Sequence, residues 1–508
     1  MSHDESPLDR LTQRLAQTLD AQRPDALARR RAKGYRSARE NLEDLIDADT
    51  FTEYGQLAIA AQRSRRDETE LYSATAADGV ITGTACINRE LVGIARARAA
   101  VAINDYSVLA GTQGFFHHKK LDRLLDIAAR EELPVVMYTE GGGGRPGDTD
   151  VTVQMAGLDT TVFVEWARLA GKVPRIAVNN GYCFAGNAAL FGAADITIAT
   201  RTSWIGMAGP AMIEGGGLGQ HAPTDIGPTE VQAANGVIDI IAEDEADATR
   251  LAQKALSYFQ GPLSRWSSAD QLSLRESVPT DRRWGYKIRP IIDTLVDTDS
   301  FLALREHFGR GLITGLARFE GKPVGVIANS AMPLGGAVDA ESADKAARFL
   351  SLCDAFALPI LALIDTPGFM VGPGSEQQGA VRRMAGLFTA GANLSVPIIT
   401  VVLRKGYGLG AMAMAGGSFK ESIVTVAWPG AEFGGMGLEG AVRLGYKKEL
   451  DAVPEGDERD ALFEQLVRAL YERGKATEAA AFLEIDAVID PAETRRVVLR
   501  ALRQSSRG

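Results

Sequence analysis

Hydrophobic and polar positions alternate with a helical period over the first 50 residues of the chain. The segment LDRLTQRLAQTLDAQ places Leu and Ala among Arg, Asp and Gln, and ARENLEDLIDADTF continues the pattern. Spacing of this kind predicts amphipathic helix. We expect one face of this helical region to pack on the body of the protein or on another subunit.

From Gly79 the pattern changes to short apolar runs, such as GVITGTACINRELVGIARA, followed by alternating strand-like and helix-like segments. This alternation predicts an α/β fold with much parallel strand pairing. Residues 258–289 are polar, carry two prolines and lack a long apolar period, so we predict a linker there. The segment from Glu458 onward is again amphipathic and predicts packing helices.

The chain repeats the order of its elements at long range. Residues 300–330 resemble residues 51–100, and DKAARFLSLCDAFALPILALIDTPGF parallels KKLDRLLDIAAREELPVVMYTEGG. Pro134 and Pro359 precede matching strands at a separation of 225 residues, and the pairs 181–182 and 406–407, both Gly-Tyr, have the same separation. Such a duplication predicts two similar domains. We place them at residues 1–262 and 263–508.

Charge and composition narrow the function classes. The net charge of −10 argues against a broad nucleic-acid surface. No apolar run reaches the length of a transmembrane helix, and the polar segment MSHDESPLDR does not resemble a signal peptide, so we expect a cytoplasmic protein. The three cysteines and five histidines lack the spacing of metal ligands, and no metal site is predicted.

Two glycine clusters follow strand-like runs. TEGGGGRPGDTD contains the G-x-G-x-x-G order of a dinucleotide loop, but Pro146 lacks an amide and the matching segment IDTPGFMVGPGSE lacks this spacing. RKGYGLGAMAMAGGS also fails the spacing. Its tetrapeptide AMAM has Ala413 where a biotin-attachment sequence has lysine. We therefore expect neither a bound dinucleotide nor a biotinylated chain.

A geometric interpretation fits the glycines better. In both halves a strand ends, the chain turns at small residues, and a helix of small residues begins (NAALFGAAD and GAMAMAGG). Amides at a helix N-terminus have no partner within the helix, and two of them aimed at a developing negative oxygen form an oxyanion hole. Close packing of the helix on the sheet is the alternative, and the residues alone leave both open.

Several stretches of the chain resemble the carboxyltransferase (β) subunit of biotin-dependent acyl-CoA carboxylases, of the propionyl-CoA carboxylase type. The resemblance extends from about residue 30 and is carried by RRAKGYRSARENLEDLIDADTFTEYG, GYCFAGNAAL, GPTEVQAANGVIDIIAEDEADA, RFLSLCDAFALPILALIDTPGFMVG, RKGYGLGAMAM, AWPGAEFGGMG and EIDAVIDPAETRR. It implies tandem crotonase-like (ClpP/crotonase) domains. The N-terminal domain would bind an acyl-CoA and the C-terminal domain carboxybiotin, in a homo-hexamer built as a trimer of dimers.

The implied reaction transfers a carboxyl group from carboxybiotin to the α-carbon of the acyl-CoA. The resemblance implies that biotin arrives on a separate partner, a biotin carboxylase or carboxyl carrier subunit. Ala185 and Gly186 would offer amides to the thioester enolate, and Leu409 and Gly410 to the ureido oxygen of biotin. The biotin nitrogen can act as the base, so no catalytic His or Cys is required.

The resemblance also implies binding residues. Those for acyl-CoA are Gly142, Gly143, Arg145 and Met412; those for biotin are Tyr407, Gly408, Gly368 and Phe369. For Arg145 a structural salt bridge is an open alternative, and for Met412 a plain core position.

Three departures from the family pattern lie on the CoA side. The chain has TEGGGGRPGD in place of D-S-G-G-A-R, CFAG in place of C-A-G-G, and Asn235 where serine is usual. The altered loop leaves open a non-catalytic assembly subunit of a carboxylase complex. A biotin-dependent acyl-CoA decarboxylase subunit, which runs the same transfer backwards, is a second alternative, because the sequence does not give the direction of the reaction.

Overall fold

The computed structural model describes residues 6–153, 157–282 and 284–505. The chain divides into two units, one ending at Gly261 and the other beginning at Pro262. Each unit has its own mixed sheet and its own buried apolar core. Among the described residues, no helix has both the length and the apolar character needed to cross a membrane.

The N-terminal region is helical, as the periodicity predicts. Its helices are α1 (Pro7–Ala16), α2 (Pro24–Arg31) and α3 (Ala38–Leu45). Ser6 and Ser37 begin α1 and α3 with capping boxes, in which the serine side chain accepts from a backbone amide of the first turn. Helix α3 buries Leu42 and Leu45. Residues 1–5, the start of the segment judged unlike a signal peptide, lie outside the described residues.

The first unit is built on a seven-stranded sheet with the order β1-β2-β3-β4-β5-β7-β9. The pairs β1–β2 and β2–β3 are antiparallel, and the remaining pairs are parallel. Strands β6 and β8 form a separate parallel pair. The strands of this unit are β1 Thr52–Tyr54, β2 Val80–Cys86, β3 Arg98–Asn104, β4 Val135–Tyr138, β5 Arg175–Asn179, β6 Tyr182–Phe184, β7 Ile196–Thr200, β8 Trp204–Gly206 and β9 Ile240–Ala242.

Helices cover this sheet and bury its apolar residues. The core includes Trp166, Phe191 and Leu124, which lie on three different helices. The helices that follow α3 in this unit are α4 Glu68–Ala74, α5 Arg89–Val92, α6 Ile94–Ala97, α7 Phe115–Arg130, α8 Val162–Arg168, α9 Gly186–Gly192, α10 Pro210–Gly215, α11 Thr229–Ala234 and α12 Glu245–Ser257.

The second unit repeats the architecture on an eight-stranded sheet. Its order is β10-β11-β12-β13-β14-β15-β17, with β16 paired to β14. The pairs β10–β11 and β11–β12 are antiparallel and the others parallel, as in the first unit. The strands are β10 Leu302–Leu304, β11 Leu312–Phe319, β12 Lys322–Asn329, β13 Ile360–Thr366, β14 Ile398–Tyr407, β15 Val424–Ala427, β16 Glu432–Gly434 and β17 Ala487–Val488.

The helices of the second unit include the predicted amphipathic C-terminal ones. They are α13 Arg289–Leu295, α14 Ala340–Ala355, α15 Pro373–Gln377, α16 Ala380–Ala392, α17 Gly408–Met414, α18 Leu438–Gly445, α19 Lys447–Asp451, α20 Asp457–Arg473, α21 Ala476–Ala481 and α22 Thr494–Ser505.

One buried side chain shows how closely the second unit repeats the first. Lys120 on α7 donates from Nζ to the carbonyl oxygen of Ala77 at 2.8 Å. Lys345, at the matching place on α14, donates to the carbonyl oxygen of Phe308 at 3.0 Å. Each ammonium group also donates to the carbonyl oxygen of the first residue of a strand, Val80 of β2 or Leu312 of β11, so the duplication extends to buried polar contacts.

The predicted linker is wrong for most of its length. Residues from Pro262 belong to the second unit, and the Leu263 amide donates to the carbonyl oxygen of Gly321 at 3.0 Å. Leu274 and Tyr286 are buried in the core of that unit. Few apolar side chains of this segment pack into the core, so its sequence is polar overall although the segment is folded.

Candidate active site

In each unit a glycine-containing loop lies beside the start of a short helix of small residues. In the first unit the loop follows β4 and the helix is α9; in the second the loop follows β13 and the helix is α17. Neither helix has a side chain capping its N-terminus. The first amides of both helices therefore lack intrahelical partners, which is the condition for holding an anionic oxygen.

The strand register corrects the repeat spacing expected across this site. Val135 on β4 pairs with Arg175 on β5, and Ile360 on β13 pairs with Ile398 on β14. The separation is 225 residues for the first strand of each pair but 223 for the second. The Gly-Tyr match at 225 is therefore not a structural equivalence, because the second copy is two residues shorter between these strands.

Pairing at the strand ends shows which residues correspond. Phe184 pairs with Gly206, and Tyr407 pairs with Gly434. The next residue in each copy has a similar positive φ, 53° at Ala185 and 56° at Gly408. Ala185 thus corresponds to Gly408. It follows that Gly186 corresponds to Leu409. The predicted donor pair of the second unit, Leu409 and Gly410, therefore begins one residue later in the turn than the pair predicted for the first unit.

Ala185 cannot act as predicted, because its amide already has a partner. The N–H group donates to the carbonyl oxygen of Gly206 at 3.0 Å. The prediction that Ala185 offers an amide to the enolate is wrong for this reason. Gly186 begins α9 and retains an amide without an intrahelical partner. Ala185 also has φ 53° and ψ −120°, a backbone conformation that favours glycine.

The predicted residues of the second unit lie together at the start of α17. Leu409 and Gly410 are in the first turn, and the Leu409 side chain is 60% exposed. Gly410 packs on the loop after β13: a Cβ added to it would lie 2.6 Å from the carbonyl carbon of Gly368 and 2.8 Å from the Phe369 nitrogen. Tyr407 and Gly408 lead into this turn, so the structure brings all six residues together.

The loop of the first unit is held to α9 by a side chain that sequence reasoning missed. Gly143, with φ 91°, donates its amide to Oδ1 of Asn187 at 3.1 Å. The amide of Gly142 donates to the carbonyl oxygen of Ala110 at 2.9 Å. Asn187 is fully buried in the first turn of α9. In the sequence, the signal for this contact is that Asn187 is the one polar residue in the apolar segment NAALFGAA.

Arg145 is part of the protein's internal structure. Its guanidinium forms a close ion pair with Asp78 and donates to the carbonyl oxygen of Thr112 at 2.7 Å, while Asp148 lies 3.5 Å away. The side chain is 4% exposed. The salt-bridge alternative therefore describes this residue. Burial raises the pKa of the Asp78 carboxyl, and Arg145 opposes that shift.

Met412 belongs to the second unit, whereas the other residues predicted to bind acyl-CoA belong to the first. It lines a cavity of 400 Å³ together with Phe419 and Phe433. Charged residues, among them Arg473 and Glu478, also line this cavity.

A larger cavity of 1160 Å³ lies beside the α9 turn in the first unit. Its wall combines aromatic residues with polar ones; among them are Tyr106, Phe115, Tyr182, Phe184, Gln113, His118 and Ala185. Burial, followed by the charge of Arg145, lowers the pKa of His118 to about 4. The imidazole is therefore neutral at neutral pH and can act as a hydrogen-bonding group in the cavity wall.

Beside the second turn, buried ionisable groups surround Tyr407. Burial and then the negative charge of Glu432 raise the pKa of the Tyr407 hydroxyl. Burial also raises the pKa of Glu432, while Arg282 and Lys405 lower it. In the first unit the residues that correspond to Tyr407 and Glu432 are Phe184 and Trp204, neither of which is ionisable. Within the described residues no group of His, Cys, Asp and Glu is arranged to hold a metal ion.

The two α/β units have the same order of strands, the same buried lysine and the same turn from a loop into a helix. The chain is therefore built from tandem crotonase-like domains. The model of the carboxyl transferase domain family matches residues 29–507, and the chain belongs to that family. It is accordingly a transferase, the carboxyltransferase component of a biotin-dependent acyl-CoA carboxylase.

Sequence relatives support this assignment. The chain is 31% identical to the methylmalonyl-CoA carboxyltransferase 12S subunit of Propionibacterium freudenreichii subsp. shermanii, over 93% of this chain and 88% of that protein. It is 32% identical to the propionyl-CoA carboxylase beta chain of Saccharopolyspora erythraea, over 94% and 89% respectively.

Solved structures agree with the sequence relatives. A single-chain, multi-domain long-chain acyl-CoA carboxylase has a TM-score of 0.93 and 54% identity, covering 98% of this chain. The match spans 49% of that larger chain, so this protein corresponds to about half of it. The transcarboxylase 12S crystal structure has a TM-score of 0.83 and 29% identity, covering 99% of this chain and 96% of that one.

Proposed function

We propose that this protein transfers a carboxyl group from carboxybiotin, carried by a partner, to the α-carbon of an acyl-CoA. The observation that carries the proposal is the pair of equivalent helix starts, one in each unit, in a chain of the carboxyl transferase domain family. The reaction develops negative charge on two oxygens, and two separate backbone sites are suited to stabilise them.

The first unit is proposed to hold the thioester. Removal of a proton from the α-carbon places negative charge on the thioester oxygen, and the Gly186 amide at the start of α9 is suited to donate to it. Asn187 keeps the glycine loop against this turn by binding the Gly143 amide. Gly143 has no side chain, which lets the loop pack against Ala185, where an added Cβ would lie 2.8 Å from the Ala185 Cβ.

The second unit is proposed to receive biotin. When bound there, carboxybiotin would supply the carboxyl group and, once that group has left its ureido nitrogen, a base for the α-proton. The amides of Leu409 and Gly410 are suited to bind the ureido oxygen, and the loop after β13 packs so closely on Gly410 that any Cβ there would collide with Gly368. Ala413 is buried where an attachment sequence has lysine, which favours a biotin that arrives on a partner.

Long-chain acyl-CoA is the proposed substrate class. The relative with 54% identity is a long-chain acyl-CoA carboxylase, whereas the methylmalonyl-CoA and propionyl-CoA relatives are 31% and 32% identical. Substrate pockets change with such divergence, so the closer relative is the better guide. The cytoplasmic location expected from the sequence stays a prediction.

An assay with acyl-CoAs of graded chain length tests the proposal. The purified chain is mixed with a biotin carboxyl carrier protein that bears labelled carboxybiotin, and label in each acyl-CoA is measured. We expect transfer, with the highest kcat/KM for long acyl chains. Transfer only in the reverse direction would favour a decarboxylase subunit. Absence of acyl-CoA binding by calorimetry would favour a non-catalytic assembly subunit.

A further inference from the structure

Gln113 is a buried polar residue that the proposed chemistry leaves unused. It precedes α7, and its backbone is fixed to the glycine loop: its amide donates to the carbonyl oxygen of Gly143 at 2.7 Å, and its carbonyl oxygen accepts from the Arg145 amide at 2.9 Å. The residue is 4% exposed and lines the 1160 Å³ cavity. Among the described residues, its side-chain nitrogen Nε2 has no hydrogen-bond partner.

The Gln113 carboxamide lies directly against the first residue of α9. A Cβ added to Gly186 would come 2.4 Å from Oε1 of Gln113 and 3.3 Å from its Cδ. Oε1 is thus the carboxamide atom that faces Gly186, and a half-turn about the Cγ–Cδ bond puts Nε2 in its place. Gly186 offers the remaining amide of the predicted donor pair, since the Ala185 amide is bound to Gly206. The acyl-side turn thus has one backbone donor, beside a side-chain carboxamide that can turn its own donor toward the same place.

The second unit shows that the fold does not need a polar residue at this position. Val338 has the same backbone bonds, donating to the carbonyl oxygen of Gly368 at 3.0 Å and accepting from the Met370 amide at 2.9 Å. Its side chain is apolar and 0% exposed. A buried amide without a partner destabilises the folded state, whereas valine would not. A ligand that accepts a hydrogen bond from Nε2 would explain why the first unit has glutamine at this position.

We propose that Nε2 of Gln113 donates a hydrogen bond to the thioester carbonyl oxygen of the acyl-CoA, beside the Gly186 amide. This inference rests on the proposed function. The two donors bind the oxygen in the bound thioester and bind it more strongly as negative charge develops there. Gln113 transfers no proton and forms no covalent bond. It supplies the second donor that the bound Ala185 amide cannot.

The test compares two ligands that differ at the carbonyl oxygen. Octanoyl-CoA has this oxygen, and the thioether S-octyl-CoA lacks it. Calorimetry measures the affinity of both ligands for the wild-type chain and for Gln113→Val, which copies the second unit. We expect the substitution to weaken octanoyl-CoA binding about 2- to 10-fold and leave S-octyl-CoA binding unchanged. An equal change for both ligands, or no change for either, would overturn the role of Gln113.

Kinetics and a second variant separate this role from a structural one. In Gln113→Val, kcat for carboxyl transfer should fall about 100-fold, whereas KM for octanoyl-CoA should rise only by the roughly 2- to 10-fold loss of binding. The unfolding midpoint should stay the same or rise, since the variant removes an unpartnered amide. Gln113→Glu keeps the shape but places a carboxylate beside the developing charge, and should lose at least as much kcat. Failure of the wild-type chain to bind either ligand would instead overturn the proposed function.

Discussion

Ala185 has the backbone conformation of the turn before α9, but its amide is not available to a ligand. Its φ of 53° and ψ of −120° favour glycine, and its counterpart in the second unit is glycine, Gly408. Its amide binds Gly206, a partner on β8 that local sequence does not reveal. The motif CFAG therefore keeps the shape expected of an oxyanion turn, with only the Gly186 amide left for a ligand.

The strained position gives a stability prediction. Ala185→Gly should raise the free energy of unfolding by about 1 kcal/mol, because relief of strain exceeds the added flexibility of the unfolded chain. The matched control is Ala188→Gly, three residues along the same helix, which should lower it by about 1 kcal/mol or more. Urea denaturation measures both. A destabilised Ala185→Gly protein would contradict the account of this turn.

His118 gives a prediction for pH. Burial lowers the pKa of its imidazole to about 4, below the ordinary value of 6.5. The folded state therefore favours the neutral ring, and the associated stability is present above pH 6.5 and lost as the pH falls through 4.

Replacing His118 with glutamine should remove this dependence. Between pH 7 and pH 4, the free energy of unfolding of the wild-type chain should fall by about 2 kcal/mol more than that of His118→Gln. The exposed His221 provides the control, and His221→Gln should follow the wild-type curve. Parallel curves for the wild-type chain and His118→Gln would show that His118 is not held neutral by burial.

At the scale of elements, periodicity predicted the α/β alternation, the terminal helices and the duplication, because these depend on local spacing of apolar residues. It could not predict the register. The second copy is two residues shorter between Pro359 and Pro397 than the first between Pro134 and Pro174, and a chance Gly-Tyr match concealed this. Register depends on which strands pair across the sheet, so only the structure corrected it.

The contact between α9 and the glycine loop can be tested through Asn187. Asn187→Ala leaves the Gly143 amide without its acceptor and should lower the free energy of unfolding by about 1–3 kcal/mol. Asn393→Ala is the control. Asn393 is exposed, and its side chain donates to the carbonyl oxygen of Thr389 one turn earlier in the chain. This substitution should lower the free energy of unfolding by less than about 0.5 kcal/mol. Equal effects in denaturation experiments would mean that Asn187 does not hold the loop.

At the scale of the whole molecule, each unit has its own core and its own loop–helix turn. The family and its carboxyltransferase activity could be inferred from the sequence, because the motifs of the second half are nearly intact. The contacts of Gln113 and Asn187 at the start of α9 could not, since they depend on which buried polar atoms find partners. Whether a polar atom has a partner is a property of the folded chain.

Assembly gives the whole-molecule prediction. The transcarboxylase 12S structure is described as a hexamer assembly, and this chain resembles it over nearly its full length. We expect light scattering of the purified protein to give a mass of about 325 kDa, which is six chains of 54.2 kDa. A mass near 54 kDa at micromolar concentration would contradict the hexamer.

The most direct test of carboxyl transfer at two backbone sites changes the Leu409 amide alone. Leu409→Pro removes the N–H group in the first turn of α17, where proline is tolerated, while Leu409→Ala keeps it and shortens an exposed side chain. Transfer of labelled carboxyl from a biotin carrier to octanoyl-CoA is measured with the three proteins. The account predicts at least about 100-fold slower transfer for Leu409→Pro, with Leu409→Ala within about threefold of the wild-type rate. Equal rates for Leu409→Pro and Leu409→Ala, or no transfer by the wild-type chain, would contradict it.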